Sequence, residues 1–219
     1  PEILRSTTIG AESRVDRFYK KGGANEVLSE IKKMESDYVQ SAYFKLLLKK
    51  KLTSKEVVNT LEILGKAIRS DHYLANILRK NQELFLKNPD AIDAYISAIK
   101  TVSSDHYSSG IIEELIRNRL DDESFNNVLD IIKRNISSSH YAARIYKKIA
   151  QKSDLSELQL VNILNAASSI KSSHNLSQVL IAFAPKVKNA SSKVKEAYTK
   201  TAKSINSDTY FGRVMKAIY

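Results

Sequence analysis

Four histidines are the residues of this sequence whose chemistry first points to a function. They are His72, His106, His140 and His174, and each follows the previous one by 34 residues. Imidazole binds metal ions and changes its charge near neutral pH. The pattern therefore raises two hypotheses, a metal site and a pH sensor.

The regular spacing disfavours a shared metal ion. Equivalent residues of neighbouring helical units lie at least about 8–10 Å apart, the distance between packed helices, whereas the ligands of one ion converge on a single point. The simpler interpretation is that the histidines recur only because the repeats descend from one ancestral unit. The alternative is a pH-dependent role, because protonation would add positive charge near helix starts, where the macrodipole disfavours it.

The histidines belong to a short phrase that recurs with the same period. Its serine stands at positions 36, 70, 104, 138 and 172, and a weaker copy, NSDTY, begins at 206. A fixed period of about 20–50 residues is the signature of repeat architectures. The phrase positions that we interpret as structural are Ser70, Asp71, Tyr73, Ser104, Asp105, Tyr107, Ser138 and Tyr141.

Each repeat carries two stretches of helical periodicity. The apolar residues after the third phrase are Tyr107, Ile111, Ile112, Leu115 and Ile116, and a second helical pattern contains Val57, Val58, Leu61, Leu64 and Ile68. The Ser or Asp of the phrase is predicted to cap the first helix of its own hairpin. TSKE at 53–56 reads as a capping box, and DDES at 121–124 as an acidic cap.

We therefore predict an all-α fold, an α-solenoid of helical hairpins with a 34-residue period, similar to HEAT repeats and containing about thirteen helices. Residues 1–219 are predicted to form a single domain, with a degenerate repeat at 1–35, five repeats at 36–206 and a partial repeat at 207–219. Because the chain opens on Pro1, we expect it to be part of a longer protein.

The last helix has an apolar stripe and no following helix, which predicts a weak homodimer through this end.

The formal net charge of +11 favours an anionic partner, since basic surfaces attract nucleic acid, anionic lipid or acidic protein. Residues 104–137 carry more acidic than basic residues, however, and a phosphate backbone needs a continuous positive stripe. A protein or peptide partner is therefore favoured over nucleic acid. No apolar run is long enough to span a membrane.

One basic row does follow the repeats, about thirty residues after each serine. It consists of Lys66, Lys100, Arg134 and Lys203, with Lys32 preceding it and Ser168 interrupting it. A cation near a helix C-terminus is favoured by the macrodipole, which is the simpler explanation. The alternative is a row of ligand contacts.

No catalytic motif appears in the sequence. It contains no His-Glu-x-x-His, no glycine-rich phosphate loop, no serine flanked by glycines at a nucleophile elbow, and no cysteine. We predict that the chain is not an enzyme and that it has no cofactor.

The segments TTIGAESRV at 7–15, KKGGANEVLSEI at 20–31 and MESDYVQSAYFKLL at 34–47 precede the recurring SSDHY units. Together they resemble the helical repeat tail associated with BlaR1-like bacterial membrane metallopeptidases and related envelope proteins. This resemblance implies an accessory or sensory module on the extracytoplasmic side of a membrane-anchored parent. The zinc-peptidase motif is absent from these residues, so the resemblance assigns no metal ligand and no catalytic residue.

The predicted function is a non-catalytic scaffold that binds a protein or a peptide, or senses a signal. Two alternatives stay open. One is a basic nucleic-acid-binding solenoid, and the other is a structural spacer without a ligand.

Overall fold

Helices account for all the regular structure in residues 5–219, the part of the chain that the computed structural model describes. Thirteen α-helices and one short 3₁₀ turn lie within these residues, and no strand does. The prediction of an all-α fold built from helical hairpins is confirmed. None of the described helices combines the length and the apolar content that crossing a bilayer requires.

The helices follow one another through short loops. They are α1 (Ala11–Ile31), α2 (Asp37–Leu47), α3 (Ser54–Ala67), α4 (Asp71–Lys80), α5 (Gln82–Leu86), α6 (Ile92–Lys100), α7 (Asp105–Leu115), α8 (Asp122–Asn135), α9 (Ser139–Ala150), α10 (Glu157–Ala167), α11 (Ser173–Lys188), α12 (Ser192–Ala202) and α13 (Asp208–Lys216). The 3₁₀ turn, Pro89–Ala91, leads into α6.

The contacts divide the chain into two compact units, one that ends at Ile111 and one that begins at Ile112. In the first unit, α1, α3 and α6 pack side by side in chain order, and α2 packs on α4. We call α1, α3 and α6 the second-helix layer of this unit. Gly65 allows α3 and α6 to approach closely, because a Cβ at this position would lie 3.4 Å from Ala98 Cα.

A kink divides α1 into the two helices of the first hairpin. Gly23 has φ +62° and ψ −155°, a conformation that glycine adopts at little cost and other residues rarely adopt. The sequence predicts a short helix closed by Gly22 and Gly23, and the structure shows the break at these residues.

The second unit repeats the two-layer arrangement. In it, α9, α11 and α13 pack in chain order, and α8, α10 and α12 form the other layer. The largest fully buried side chains include two tyrosines and a phenylalanine in this unit, Tyr146, Tyr198 and Phe183. Burial of these rings supplies much of the driving force for packing, at about 1.5–3 kcal/mol for a large apolar side chain.

Successive hairpins are joined by hydrogen bonds from backbone to side chain. In four of the first helices, α2, α4, α9 and α11, the residue at the first position accepts a backbone N–H from the next copy of the phrase. Asp37 Oδ2 accepts from Ser70 N at 2.6 Å, and Asp71 accepts from Ser103 N at 3.0 Å and Ser104 N at 2.7 Å. In the second unit, Ser139 Oγ and Ser173 Oγ accept from Ser172 N at 3.3 Å and Asn206 N at 3.1 Å. We call these bonds the inter-repeat clamp.

The predicted serine cap is present in two of the first helices and absent from two others. The Ser70 and Ser138 side chains make no capping hydrogen bond to their own helices, whereas Ser36 and Ser172 do. All four serines have ψ between 113° and 118°. Ser36, whose phrase has no preceding copy, shares this angle with the other three serines, so the angle does not require the clamp.

The second helices keep local caps. Thr53 and Glu56 form the predicted capping box, and Asp121 accepts from Ser124 N at 2.7 Å. At these two caps, Thr53 and Asp121, ψ is 162° and 167°. The Thr53 N–H bound to the Glu56 carboxylate holds the pKa of Glu56 below its usual range.

The C-terminal helix buries part of the stripe for which dimerisation is predicted. Val214 is fully buried, Ile218 is nearly so, and the Val214 carbonyl accepts the Tyr198 hydroxyl at 3.1 Å. Tyr210 and Met215 are half-buried. A homodimer through this end stays a prediction. The apolar surface that α13 offers to a second copy is smaller than the sequence pattern indicates.

Replacing Asp71 by alanine removes both carboxylate bonds of its clamp. We expect the free energy of unfolding to fall by about 1.5–3 kcal/mol, because two backbone N–H groups lose a charged acceptor. Urea denaturation followed by circular dichroism measures the change. Asp93→Ala is the matched control, since it also removes an acid from a first helical turn and should cost less than about 1 kcal/mol. Equal losses in the two variants would contradict the clamp.

Two buried tyrosines provide a second stability test. The Tyr146 hydroxyl is buried without a hydrogen-bond partner in the described residues, whereas the Tyr198 hydroxyl donates to Val214 O. Burial raises the pKa of both side chains. We expect Tyr198→Phe to cost about 1 kcal/mol and Tyr146→Phe to be neutral or stabilising. Thermal unfolding of the two variants in parallel measures both losses of stability. A larger loss for Tyr146→Phe than for Tyr198→Phe would contradict the prediction.

Candidate functional site

The structure places the four histidines on the surface, beside tyrosines of the same row. All four are exposed. His72 Nδ1 lies 3.3 Å from the Tyr107 hydroxyl, and His174 Nδ1 lies 3.3 Å from the Tyr210 hydroxyl. Within residues 5–219, no group of three histidine, cysteine, aspartate or glutamate side chains is placed to hold a metal ion. His72 and His174 thus belong to contacts between hairpins.

The basic row is exposed in both units, but its members differ in their surroundings. In the second unit, Arg134 Nε pairs with Asp130 Oδ2 at 3.0 Å on the same helix, and Lys203 follows α12 as an exposed residue. In the first unit, Lys66 and Lys100 lie at the ends of α3 and α6. Of these four residues, Lys66 lines a cleft.

This cleft has a volume of about 730 Å³ and lies between the end of α1, the start of α2 and the length of α3. Its lining residues are Lys32, Met34, Glu35, Asp37, Gln40, Asn59, Glu62, Ile63, Lys66, Ala67 and Arg69. No histidine, cysteine, serine or threonine is among them. The charged and carboxamide side chains of the lining can form ion pairs and hydrogen bonds with a bound partner. We call it the α3 cleft.

A buried glutamine and an aspartate fix one wall of the α3 cleft. Gln40 is 5% exposed, and its Nε2 donates to Met34 O at 2.7 Å, which ties the start of α2 to the loop after α1. Asp37 accepts from Ser70 N, so this wall includes one bond of the inter-repeat clamp. The fold thus predetermines the position of the wall.

Charges of both signs line the α3 cleft without pairing with each other. Lys32, Lys66 and Arg69 have no carboxylate within 4 Å in the described residues, and Glu35 and Glu62 have no cation within that distance. By contrast Lys33, next to Lys32 in sequence, pairs with Glu30 at 3.4 Å. Cleft charges that are not paired inside the chain are available to a partner.

A second depression continues the α3 cleft along the same helix. It has a volume of about 360 Å³, and it shares Asn59 and Glu62 with the cleft. Asn59 Nδ2 also donates to Asn25 Oδ1 of α1 at 2.9 Å. The two depressions therefore form one groove along α3, with Asn59 and Glu62 where they meet.

The second unit has a similar carboxamide pair but a less available cleft. Asn162 Nδ2 donates to Asn126 Oδ1 at 3.0 Å. A cleft of about 610 Å³ lies among the hairpin loops, but its polar groups are used internally. Lys152 Nζ donates to Ile116 O at 2.8 Å, and Gln159 donates to Asp122 at 2.8 Å. The α3 cleft is therefore the stronger candidate.

Sequence reasoning identified Lys66 and Lys32 but missed Asn25, Asn59 and Arg69. Asn25 and Asn59 are 34 residues apart, so the repeat period itself could have indicated the pair. Asparagine is disfavoured inside helices, so its presence at the same position of two successive repeats was the signal that the sequence offered. No periodic signal marks Arg69.

Comparison with known proteins assigns no family to this chain. No protein-family model matches it, and no curated protein matches it. One similar solved structure is a chain from the computational design of self-assembling cyclic protein homooligomers. The two chains are 16% identical, the match covers 96% of this chain and 78% of the designed one, and the TM-score is 0.22. A similarity at this TM-score carries no argument about assembly or function.

Proposed function

We propose that this chain is a non-catalytic helical-repeat module that binds a polypeptide segment of a partner protein. The observation that carries the proposal is the α3 cleft, in which three cations and two carboxylates lie without internal partners. The accessory position in a membrane-anchored bacterial parent, outside the cytoplasm, is part of the same proposal and is supported by the sequence resemblance.

A polypeptide fits the chemistry of the α3 groove. A carboxamide both donates and accepts hydrogen bonds, so Asn59 matches the N–H and C=O groups of an extended backbone. The mixture of lysine, arginine and glutamate side chains can pair with charged side chains of either sign. The low apolar content of the lining favours a reversible, polar complex over a permanent one.

Nucleic acid is the weaker alternative because the cations of the cleft are interspersed with acids. Glu35 and Glu62 lie among the same residues as Lys66 and Arg69. A phosphate backbone would meet repulsion at each carboxylate. Homodimerisation through α13 is a separate hypothesis that does not involve this cleft.

Selection of peptides from a random display library on the wild-type protein tests the proposal. We expect selected peptides to bind with micromolar affinity, and the double variant Asn59→Ala, Glu62→Lys to bind them at least about tenfold more weakly. Fluorescence anisotropy of the labelled peptides measures both affinities. Circular dichroism confirms that the variant keeps its helical content.

The matched control is the double variant Asn165→Ala, Glu196→Lys, which makes the same two changes at exposed helical positions of the second unit. It should bind the selected peptides as the wild type does. Failure to select any peptide, or equal loss in both double variants, would count against a binding site in the α3 cleft.

A further inference from the structure

The last two helices of the second unit, with the loop that joins them, present an exposed surface that is rich in cations. It contains Lys193, Lys195, Lys200, Lys203, Arg213 and Lys216, and we call it the C-terminal basic surface. It shares no residue with the α3 cleft. We propose that this surface docks the chain on an anionic lipid bilayer, a role that goes beyond the proposed binding of a polypeptide.

The positive charge of this surface is in excess and is not neutralised inside the chain. Residues 192–219 contain these six cations and two acids, Glu196 and Asp208. In the described residues, none of the six cations has a carboxylate within 4 Å, and neither acid has a cation within that distance. All eight residues are exposed. A basic surface of this kind attracts anions.

Helical periodicity places the cations on the sides of α12 and α13 that face away from the core. Lys193 and Lys200 of α12 are seven residues apart, on the side opposite the buried Tyr198. Arg213 and Lys216 of α13 are three residues apart, so they are neighbours on one exposed face. Packing of the hairpins therefore leaves these cations free to meet a partner.

The kind of cation favours lipid over nucleic acid. Five of the six are lysines. Lysine is a compact, hydrated charge with little geometric demand, whereas arginine is the residue of choice for bidentate recognition of nucleic-acid phosphates. Clusters of about four to eight lysines and arginines on an amphipathic helix are typical of surfaces that bind anionic lipid head groups.

Apolar side chains accompany the cations on α13 and just beyond it. Phe211 and Met215 are half-buried, and Tyr219 is 86% exposed. Aromatic rings are favoured where head groups meet hydrocarbon, and apolar side chains of a basic helix add to its electrostatic attraction to a bilayer. The phosphates of a nucleic-acid duplex would engage the cations and leave these apolar groups in water. A bilayer accommodates both.

A second copy of this chain is a weaker occupant of the same surface. A two-fold interface brings the same patch of both copies together, so the six cations of one copy would face those of the other. Like charges at such distances repel. An anionic bilayer offers the opposite charge.

Co-sedimentation of the full chain with sucrose-loaded vesicles tests the proposal. Vesicles of equimolar phosphatidylglycerol and phosphatidylcholine are compared with vesicles of phosphatidylcholine alone in low-salt buffer. We expect the chain to partition at least about a hundredfold more strongly onto the anionic vesicles, because each basic residue near the surface contributes about fivefold. Added salt should weaken this binding by screening the charges.

Charge removal locates the contact. The double variant Lys200→Gln, Lys203→Gln should partition about 25-fold more weakly onto the anionic vesicles. The matched control is Lys80→Gln, Lys133→Gln, which removes the same charge at exposed positions in the last turns of α4 and α8. It should stay within about threefold of the wild type. Circular dichroism confirms that both variants keep their helical content.

Four outcomes overturn the proposal. Two of them are equal partitioning onto anionic and neutral vesicles, and equal loss in the two double variants. If a random DNA duplex at the same phosphate concentration releases the chain from the vesicles, and Lys200→Gln, Lys203→Gln weakens DNA binding to the same extent, nucleic acid replaces the bilayer. A dimer in light scattering that stays off the vesicles assigns the surface to a second copy. Each outcome leaves the proposed polypeptide binding intact, since Lys200 and Lys203 do not line the α3 cleft.

Discussion

The inter-repeat clamp is the constraint on which the rest of the structure depends. A side chain at the first position of one hairpin holds the backbone N–H that begins the next hairpin, as Asp37 does for Ser70. Apolar burial drives the helices together, but it is non-directional. The clamp adds direction and register, because the acceptor oxygen and the amide must meet within hydrogen-bonding distance.

The α3 cleft follows from this constraint. Asp37 belongs both to the clamp and to the wall of the cleft, so the bond that sets the repeat spacing also brings the end of α3 beside the start of α2. Lys66 and Arg69 are positioned by the same junction, since they stand within a few residues of Ser70. Structure and proposed binding therefore have a common origin in the serine-containing phrase.

The sequence predicted the helices well because their signals are local. The 34-residue period, the apolar spacing and the capping box at Thr53 and Glu56 depend on residues within one or two turns of each other. The role of Asp71 was not predictable in this way. An acid after a serine at a helix start is typical of a local cap, and its actual partners, Ser103 and Ser104, lie a full repeat away.

The cleft was beyond sequence reasoning for a related reason. Its residues come from three segments, and whether Lys66 pairs with a carboxylate depends on side-chain positions that no periodicity encodes. The same row contains Arg134, which is paired with Asp130, so equal positions in the repeat have unequal surroundings. The net charge of +11 indicated an anionic partner without indicating where such a partner binds.

Amide hydrogen exchange of the serines that begin the repeats tests the clamp most directly. The first N–H groups of a helix have no partner within that helix and normally exchange fast. Ser70, Ser104 and Ser172 should be protected nearly as well as the amides inside the following helices, because the preceding repeat binds each of them. Ser36, whose phrase has no preceding copy, should exchange faster and serves as the internal reference. Exchange of Ser70 and Ser104 as rapid as that of Ser36 would contradict the account.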